Sequence, residues 1–426
     1  MPKIDHVFVL QFENRSFDHL FGSREGVDGI EAARAKLTAA GSPILPNLLQ
    51  PPHANVFVFD PPHDSESVAR QIAGDMSGFV QVFEGAHEKE NGFRPELVMG
   101  YLDRTTVPVS YALADQFAIS DRWFSPIPTQ TVPNRMYGMC GHSFGEKDNP
   151  GALRYLAGFE ADDSVFKKLE GTGRDWRIYS DTPLPMAALL RGIRGDIFSG
   201  EKLNPLKELA GDIAKGDVPS FVWIEPTYVW TEFELIDPFF PEPNDDHPPT
   251  AMAAGQELLE HVYLSLRSND ELWKRSVLVV YYDEHGGFYD HVTPPACNPS
   301  DGFTTRGPRV PALVISPWVK PGSVVRPPEG QVFDHCSVLK FVCERFEIQP
   351  WTERLRDPSL ASLTPFFQEA MQQLPAAKAP RTAAAQPAGA GRAAALLAAH
   401  PEVAEGMRNI HKEHVREFVR EHRQKA

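Results

Sequence analysis

Two apolar runs that each stop at a pair of hard oxygen ligands constrain this chain most. The first, Val7-Phe-Val-Leu-Gln-Phe, ends at Glu13-Asn14, and the second, Val277-Leu-Val-Val-Tyr-Tyr, ends at Asp283-Glu284. Near-continuous apolar runs of this length suit strands buried on both faces, as in a parallel sheet. A carboxylate is not tolerated inside such a strand, so the acids must emerge at its end and face a cleft or a cation. Strands are accordingly expected over residues 5–11, 175–180, 220–225, 276–282 and 310–316. Helical patterns lie between them. Residues 250–267 carry Met252, Leu258, Leu259, Val262, Leu264 and Leu266, and Asp334 is placed to cap a helix running through Val338, Leu339, Phe341 and Val342. Strands alternating with helices imply an α/β sandwich.

Long proline-rich stretches separate these elements, with 39 prolines in all. In a parallel sheet, the loops at the carboxyl ends of the strands build the site. Residues 1–374 read as one catalytic unit, 375–400 as an Ala/Pro-rich linker, and 401–426 as a terminal amphipathic helix with Val403, Met407, Ile410, His414 and Phe418 on one face. Docking of that helix on the body or on a second subunit is favoured over membrane attachment, because its charges of opposite sign nearly balance. No feature sets an oligomeric state. The 42 basic and 57 acidic residues give a net charge of −15, which argues against a general nucleic-acid binder. The four cysteines, Cys140, Cys297, Cys336 and Cys343, form no CxxC pair and are expected as buried free thiols. No run is long enough to cross a membrane and no export leader is visible, so the chain as written is expected in the cytoplasm.

Three carboxylates and an amide gathered at neighbouring strand ends would repel one another, and a divalent cation with oxygen ligands removes that repulsion. Gly286-Gly287 permits a turn closed to most residues, and Asp290 and His291 beyond it read equally as supports of the site or as plain loop partners. Thr131, in Thr131-Val-Pro-Asn-Arg, stands just before an apolar stretch that begins a helix. A hydroxyl there can be a nucleophile facing an anion, although local pattern favours a plain N-cap. Thr129 and Ser125 are nearby hydroxyls, so spacing does not choose Thr131. Arg135 could clamp phosphate or pair with a carboxylate. His63 in Asp60-Pro-Pro-His and His247 in Asp245-Asp-His-Pro-Pro are held by prolines, which suits orientation or proton transfer near a leaving group. His335 opens a helix and reads as structural. Trp223, Tyr228 and Trp230 cluster with Glu225; they could hold a quaternary ammonium, though core packing is the stronger reading. No G-x-S-x-G elbow, Walker loop or G-x-G-x-x-G opens a helix.

Taken in order, Glu13-Asn-Arg-Ser-Phe-Asp-His, Asp60-Pro-Pro-His, Thr131-Val-Pro-Asn-Arg, Asp245-Asp-His-Pro-Pro, Asp283-Glu-His-Gly-Gly-Phe-Tyr-Asp-His and Arg309-Val-Pro-Ala-Leu-Val-Ile-Ser-Pro-Trp resemble the phosphoesterase family. That family includes bacterial phosphatidylcholine-type phospholipases C, plant non-specific phospholipases C and a related acid phosphatase. The resemblance spans roughly residues 4–346 and implies an alkaline-phosphatase-like α/β/α sandwich with a mostly parallel central sheet. It implies a divalent metal (Ca, Zn, Mn or Mg) on Glu13, Asn14, Asp283 and Glu284. It also implies Thr131 as nucleophile and His247 and His63 at the phosphoryl group or leaving oxygen; with these in place, Asn14 and Arg135 are expected to stabilise charge on the equatorial oxygens of the substrate. The expected activity is that of a phospholipase C acting through a phosphothreonine on glycerophospholipids such as phosphatidylcholine, with peripheral membrane contact. The alternatives are an acid phosphatase acting on monoesters and an inactive relative that binds headgroups. On the sequence as written, the expectation is a chain without the extra carboxyl-terminal β domains of the larger bacterial members and without the leader usual in an often exported family, which bears on substrate and compartment.

Overall fold

The computed structural model describes residues 2–160, 162–182, 185–228 and 243–372. The terminal linker and helix expected over 375–426 lie outside the described residues, as does Trp230. Eight strands form the main sheet: β1 (His6–Phe12), β2 (Ala118–Ile119), β3 (Trp176–Tyr179), β4 (Leu203–Asn204), β5 (Phe221–Ile224), β6 (Ser276–Tyr282), β7 (Ala312–Ile315) and β8 (Ser323–Val324). They lie in the order β8-β2-β7-β6-β1-β5-β3-β4. All five expected strands are present, within about two residues at each end. The run at 310–316 was expected to be parallel, but β7 runs antiparallel to β6 and β2. An apolar run carries no direction. The chain returns from β6 to β7 through a long loop with no crossover helix, and that return places the next strand antiparallel.

Every residue of β5, β6 and β7 is buried, and β1 is buried from Val7 onward. Burying each large side chain here contributes roughly 1.5–3 kcal/mol, and full burial shows that both sheet faces are covered. The helices include α1 (Phe17–Phe21), α2 (Thr131–Cys140), α3 (Met252–Arg267) and α4 (Cys336–Phe346). Helices α2 and α4 pack together, and α2 approaches β1, β5 and β6 so closely that a Cβ at Gly138 would lie 2.8 Å from Tyr281 Oη. Helix α3 packs instead with the helices Pro108–Gln116 and Leu209–Lys215. Asp334 caps α4 by accepting from the Cys336 N–H at 2.9 Å, while Ser337 Oγ accepts from the Asp334 N–H at 3.1 Å. All four cysteines are free thiols, three of them buried and Cys297 half-buried.

The register of the two central strands places the site. Strands β1 and β6 pair in parallel without a slip, from His6 opposite Ser276 to Phe12 opposite Tyr282. Both therefore end on the same row, and Glu13 and Asp283 leave the sheet side by side.

Candidate active site

Asn14 adopts φ +61° immediately after β1, and its N–H donates to Asp283 Oδ1 at 3.2 Å. The same oxygen accepts the Glu284 N–H at 2.7 Å, and Glu284 Oε2 accepts the Gly286 N–H at 2.7 Å. Gly286, at φ +61°, passes so close to Asn14 that a Cβ there would sit 2.3 Å from the Asn14 carbonyl oxygen. Only glycine lets the two strand ends meet. His335 supports the row from behind: its Nε2 donates to the Asp283 carbonyl at 2.7 Å and its Nδ1 accepts from Trp123 Nε1. Its expected structural role is the arrangement found.

The carboxylates are crowded in a dry place. Burial, with Asp283, Asp245 and Glu284 close by, holds Glu13 well above the usual carboxylate range against the pull of Arg135. Asp283 is pushed up to about 7 by burial and by Glu284. Among the described residues, both amide atoms of Asn14 and Glu284 Oε1 are buried without a hydrogen-bond partner, and Glu13 Oε1 has only an ion pair with Arg135 Nη2 at 3.1 Å. Buried polar atoms are nearly always bonded, so unbonded oxygens on residues at neighbouring strand ends fit a hard cation. Oxygen donors of this kind suit Mg, Mn, Ca or Zn. Glu13, Asp283 and Glu284 do not themselves close into a tight ligand group, because the Arg135 guanidinium pairs with both Glu13 and Asp283.

Arg135 therefore stands elsewhere than on the substrate. It is fully buried, with Nε 3.2 Å from Asp283 Oδ2, Nη1 donating to Tyr228 Oη at 2.8 Å and Nη2 to the Phe12 carbonyl at 3.2 Å. Its donors are spent within the protein, so it has none to aim at a phosphate. Tyr228 donates in turn to Glu225 Oε2, which also accepts the Met186 N–H, while Oε1 accepts from the Ala187 N–H and Trp223 Nε1. The described part of that aromatic cluster is packing and anchoring.

Thr131 is the first residue of α2, after Gln130 as cap residue, and no side chain fills the cap. The hydroxyl makes no hydrogen bond among the described residues, so the capping role favoured by local pattern is not the one adopted. Its two rivals are engaged: Thr129 Oγ1 donates to Asp148 Oδ1 at 2.9 Å, and Ser125 Oγ turns toward the Ile127 and Pro308 carbonyls. Thr131 and Arg135 are four residues apart on α2, hence on one helix face, and Arg135 ties that face to the ends of β1 and β6.

His63 and His247 come together beside Glu284, their ring centres 6.3 Å apart. Each donates Nδ1–H to a backbone carbonyl, His63 to Pro61 at 2.7 Å and His247 to Pro248 at 2.6 Å. That fixes Nε2 as the working nitrogen of both. His63 Nε2 faces Glu284 Oε1 at 3.8 Å, and His247 Nε2 lies 4.0 Å from Asp60 Oδ1. Burial alone would depress His63, but Glu284 and Asp60 outweigh it and push it up to about 9. Asp60 is the residue that sequence reasoning passed over. It stood in the quoted Asp60-Pro-Pro-His motif without a role, yet its ligand atom converges with those of His63 and His247 within 4.8 Å. The His247 loop is bound to the strand ends from below. The Glu13 N–H donates to the Asp245 carbonyl at 2.9 Å, Arg15 Nε and Nη2 to the Asp246 carbonyl, and Tyr282 Oη to Asp246 Oδ2 at 2.5 Å.

Asp290 and His291 join a different cluster. Arg309 donates to Asp290 Oδ1 and Asp18 Oδ1, each at 2.8 Å, and His291 lies between Asp18 Oδ2 at 2.7 Å and Asp28 Oδ1 at 3.1 Å. Their contacts brace the loops after β1 and β6.

The model of the phosphoesterase family matches residues 4–349 of this chain. Non-specific phospholipase C1 of Arabidopsis thaliana is 30% identical over 397 residues, covering 85% of this chain and 71% of its own. Non-specific phospholipase C6 of the same plant is 33% identical over 370 residues, covering 81% and 68%. The non-hemolytic phospholipase C of Burkholderia pseudomallei is 30% identical over 409 residues, covering 80% and 55%. Similarity to solved structures is weaker. The phosphonate monoester hydrolase of Agrobacterium radiobacter is 12% identical with a TM-score of 0.38, covering 85% of this chain and 77% of its own. A protein of the alkaline phosphatase superfamily from Vibrio parahaemolyticus is 13% identical with a TM-score of 0.35, covering 63% and 67%.

Proposed function

The chain belongs to the phosphoesterase family, and on that footing we propose that it is a metal-dependent phosphodiester hydrolase of the phospholipase C type. One observation carries the reading. Of the three neighbouring hydroxyls Ser125, Thr129 and Thr131, that of Thr131 alone is unspent among the described residues, and it opens the helix whose Arg135 is anchored to the carboxylates at the ends of β1 and β6. Glu13, Asn14, Asp283 and Glu284 would hold the cation, which supplies charge neutralisation and polarisation of phosphoryl oxygens.

The residues of the chain do the rest. Thr131 releases its hydroxyl proton to solvent, and its Oγ1 forms the new bond to phosphorus as the bond to the diacylglycerol oxygen breaks. Asn14 Nδ2, buried and unbonded, donates to an equatorial oxygen. His247, its Nδ1–H held by Pro248 and a second proton on Nε2, protonates the departing oxygen through Nε2, and His63 contributes positive charge beside it. Water then gives a proton to His247 Nε2 as its oxygen displaces Thr131 Oγ1 from phosphorus, and Oγ1 regains its proton from solvent. The cation-like His63 also suits a phosphomonoester dianion, so the monoesterase reading stays beside the first.

The test is release of p-nitrophenol from its phosphocholine diester and its phosphate monoester, in a series of divalent metals. Diester turnover that needs metal and falls at least about 10³-fold in Thr131→Ala supports the proposal. Turnover of the monoester alone moves the reading to a phosphatase. Unchanged activity in the variant sinks the assignment of Thr131.

A further inference from the structure

We propose that Arg135 is a positioning residue that matches the strand-end site to one divalent cation: a fixed internal counter-charge placed among the ligands. The inference rests on the metal site of the proposed function. Arg135 is completely buried, and the ring of Tyr228 lies 4.7 Å from its guanidinium carbon. The guanidinium pairs with Glu13 at 3.1 Å and with Asp283 at 3.2 Å, so one fork separates and orients two of the expected ligands. The remaining donors go to Tyr228 Oη, Gln11 Oε1 and the Phe12 carbonyl. A guanidinium does not lose its proton in a protein, and a lysine ammonium has no fork with which to span two carboxylates.

The charges make the argument quantitative. Glu13, Asp283 and Glu284 bring −3 and Arg135 returns +1, while His63 beside Glu284 and Asp60 beside His63 add one charge of each sign, leaving −2. One divalent cation brings this set to zero. A trivalent ion or a second divalent ion leaves a surplus in a low-dielectric place, where unbalanced charge is costly. Glu225 stands behind Tyr228 with both oxygens already accepting from backbone, indole and phenol donors. Asp245 turns its Oδ1 to the His247 N–H and to Thr250, and His63 faces Asp60 as well as Glu284. These outer charges are common to wild type and variants alike and cancel in a comparison. Arg135 also explains how the ligands tolerate one another before a cation arrives, since Glu13 and Asp283 are each already paired.

The experiment titrates Mn²⁺ and Tb³⁺ into the metal-stripped full chain, reading free Mn²⁺ by electron paramagnetic resonance and bound Tb³⁺ by luminescence. The wild-type chain is expected to bind one Mn²⁺. In Arg135→Gln the ratio of Tb³⁺ to Mn²⁺ affinity should rise at least about tenfold, because a unit charge within a few ångströms acts more strongly on the trivalent ion. Arg135→Lys, which keeps the charge, should stay within about threefold of wild type. The double variant Glu13→Gln, Arg135→Gln restores −2 and should return the ratio toward wild type, including where the single Gln variant fails to fold. An unchanged ratio in Arg135→Gln overturns the proposal, as does an equal rise in Arg135→Lys or no return in the double variant. A wild-type chain that binds neither ion, or binds both as well after Asp283→Asn, overturns the metal site itself and takes the role of Arg135 with it.

Discussion

Two carboxylate clusters, one buried and one largely so, follow β1 and β6, and they are built from the same parts. One gathers Glu13, Asn14, Asp283 and Glu284 about Arg135; the other gathers Asp18, Asp28, Asp290 and His291 about Arg309. On composition the Arg309 cluster is the better metal site, since the ligand atoms of Asp18, Asp290 and His291 lie within 4.8 Å of one another. Yet every one of them has a partner. Asp290 Oδ1 takes Arg309 and the Val292 N–H, its Oδ2 takes the Asp18 N–H, and His291 is held at both nitrogens. In the Arg135 cluster Asn14 and Glu284 keep unbonded atoms in a buried place. Saturation suits a brace, and unspent oxygens beside crowded carboxylates suit a cation.

The comparison can be broken most forcefully at its closed member. Arg309→Met leaves Asp18 and Asp290 buried without their counter-charge and should cost about 3–5 kcal/mol of stability. Turnover per folded molecule, measured well below the lowered melting temperature, should stay near wild type. A collapse of turnover with intact stability would make the brace part of the machinery. At the open member the pattern inverts. Glu284→Gln keeps an acceptor for the Gly286 N–H but removes the charge that faces His63 and His285, so the metal-free chain should lose less stability than Arg309→Met does, while turnover falls roughly 10²–10³-fold. Melting curves and kinetics on the same sample decide it, and lost stability with retained turnover would erase the distinction.

The smallest effect is one of pH. Burial disfavours charged His291, but Asp18 and Asp290 outweigh both burial and Arg309 and hold its pKa above the ordinary value. A group raised on folding contributes fully below its unfolded pKa of about 6.5, and that contribution fades as pH rises through the folded value. The melting temperature should therefore decline from about pH 6.5 upward, and His291→Gln should flatten that decline. An identical slope in both proteins would remove His291 as its source.

The strands were legible because their burial on two faces writes a continuous apolar run, and the site was legible where those runs stop at Glu13 and Asp283. Direction was not, as β7 shows, since hydropathy has no sign along the chain. Nor were β2, β4 and β8, whose two residues each are too short for any period. The role of Arg135 was hidden for another reason. Its partners lie more than ninety residues away on both sides, and nothing local distinguishes a clamp from a counter-charge. Asp148 likewise settles which hydroxyl is spent, and no spacing between Thr129 and Thr131 announces it.

The contact between Asn14 and Asp283 joins residues 269 apart in the chain. At ordinary rates of synthesis, roughly 5–20 residues per second, the first half of the ligand set waits on the order of half a minute for the second. Until then β1 has no β6 beside it, and a nascent or prematurely ended chain carries no complete set of ligands. For an enzyme proposed to cut the lipids of membranes, the order of residues along the chain is itself a safety catch, released only when the domain is nearly made.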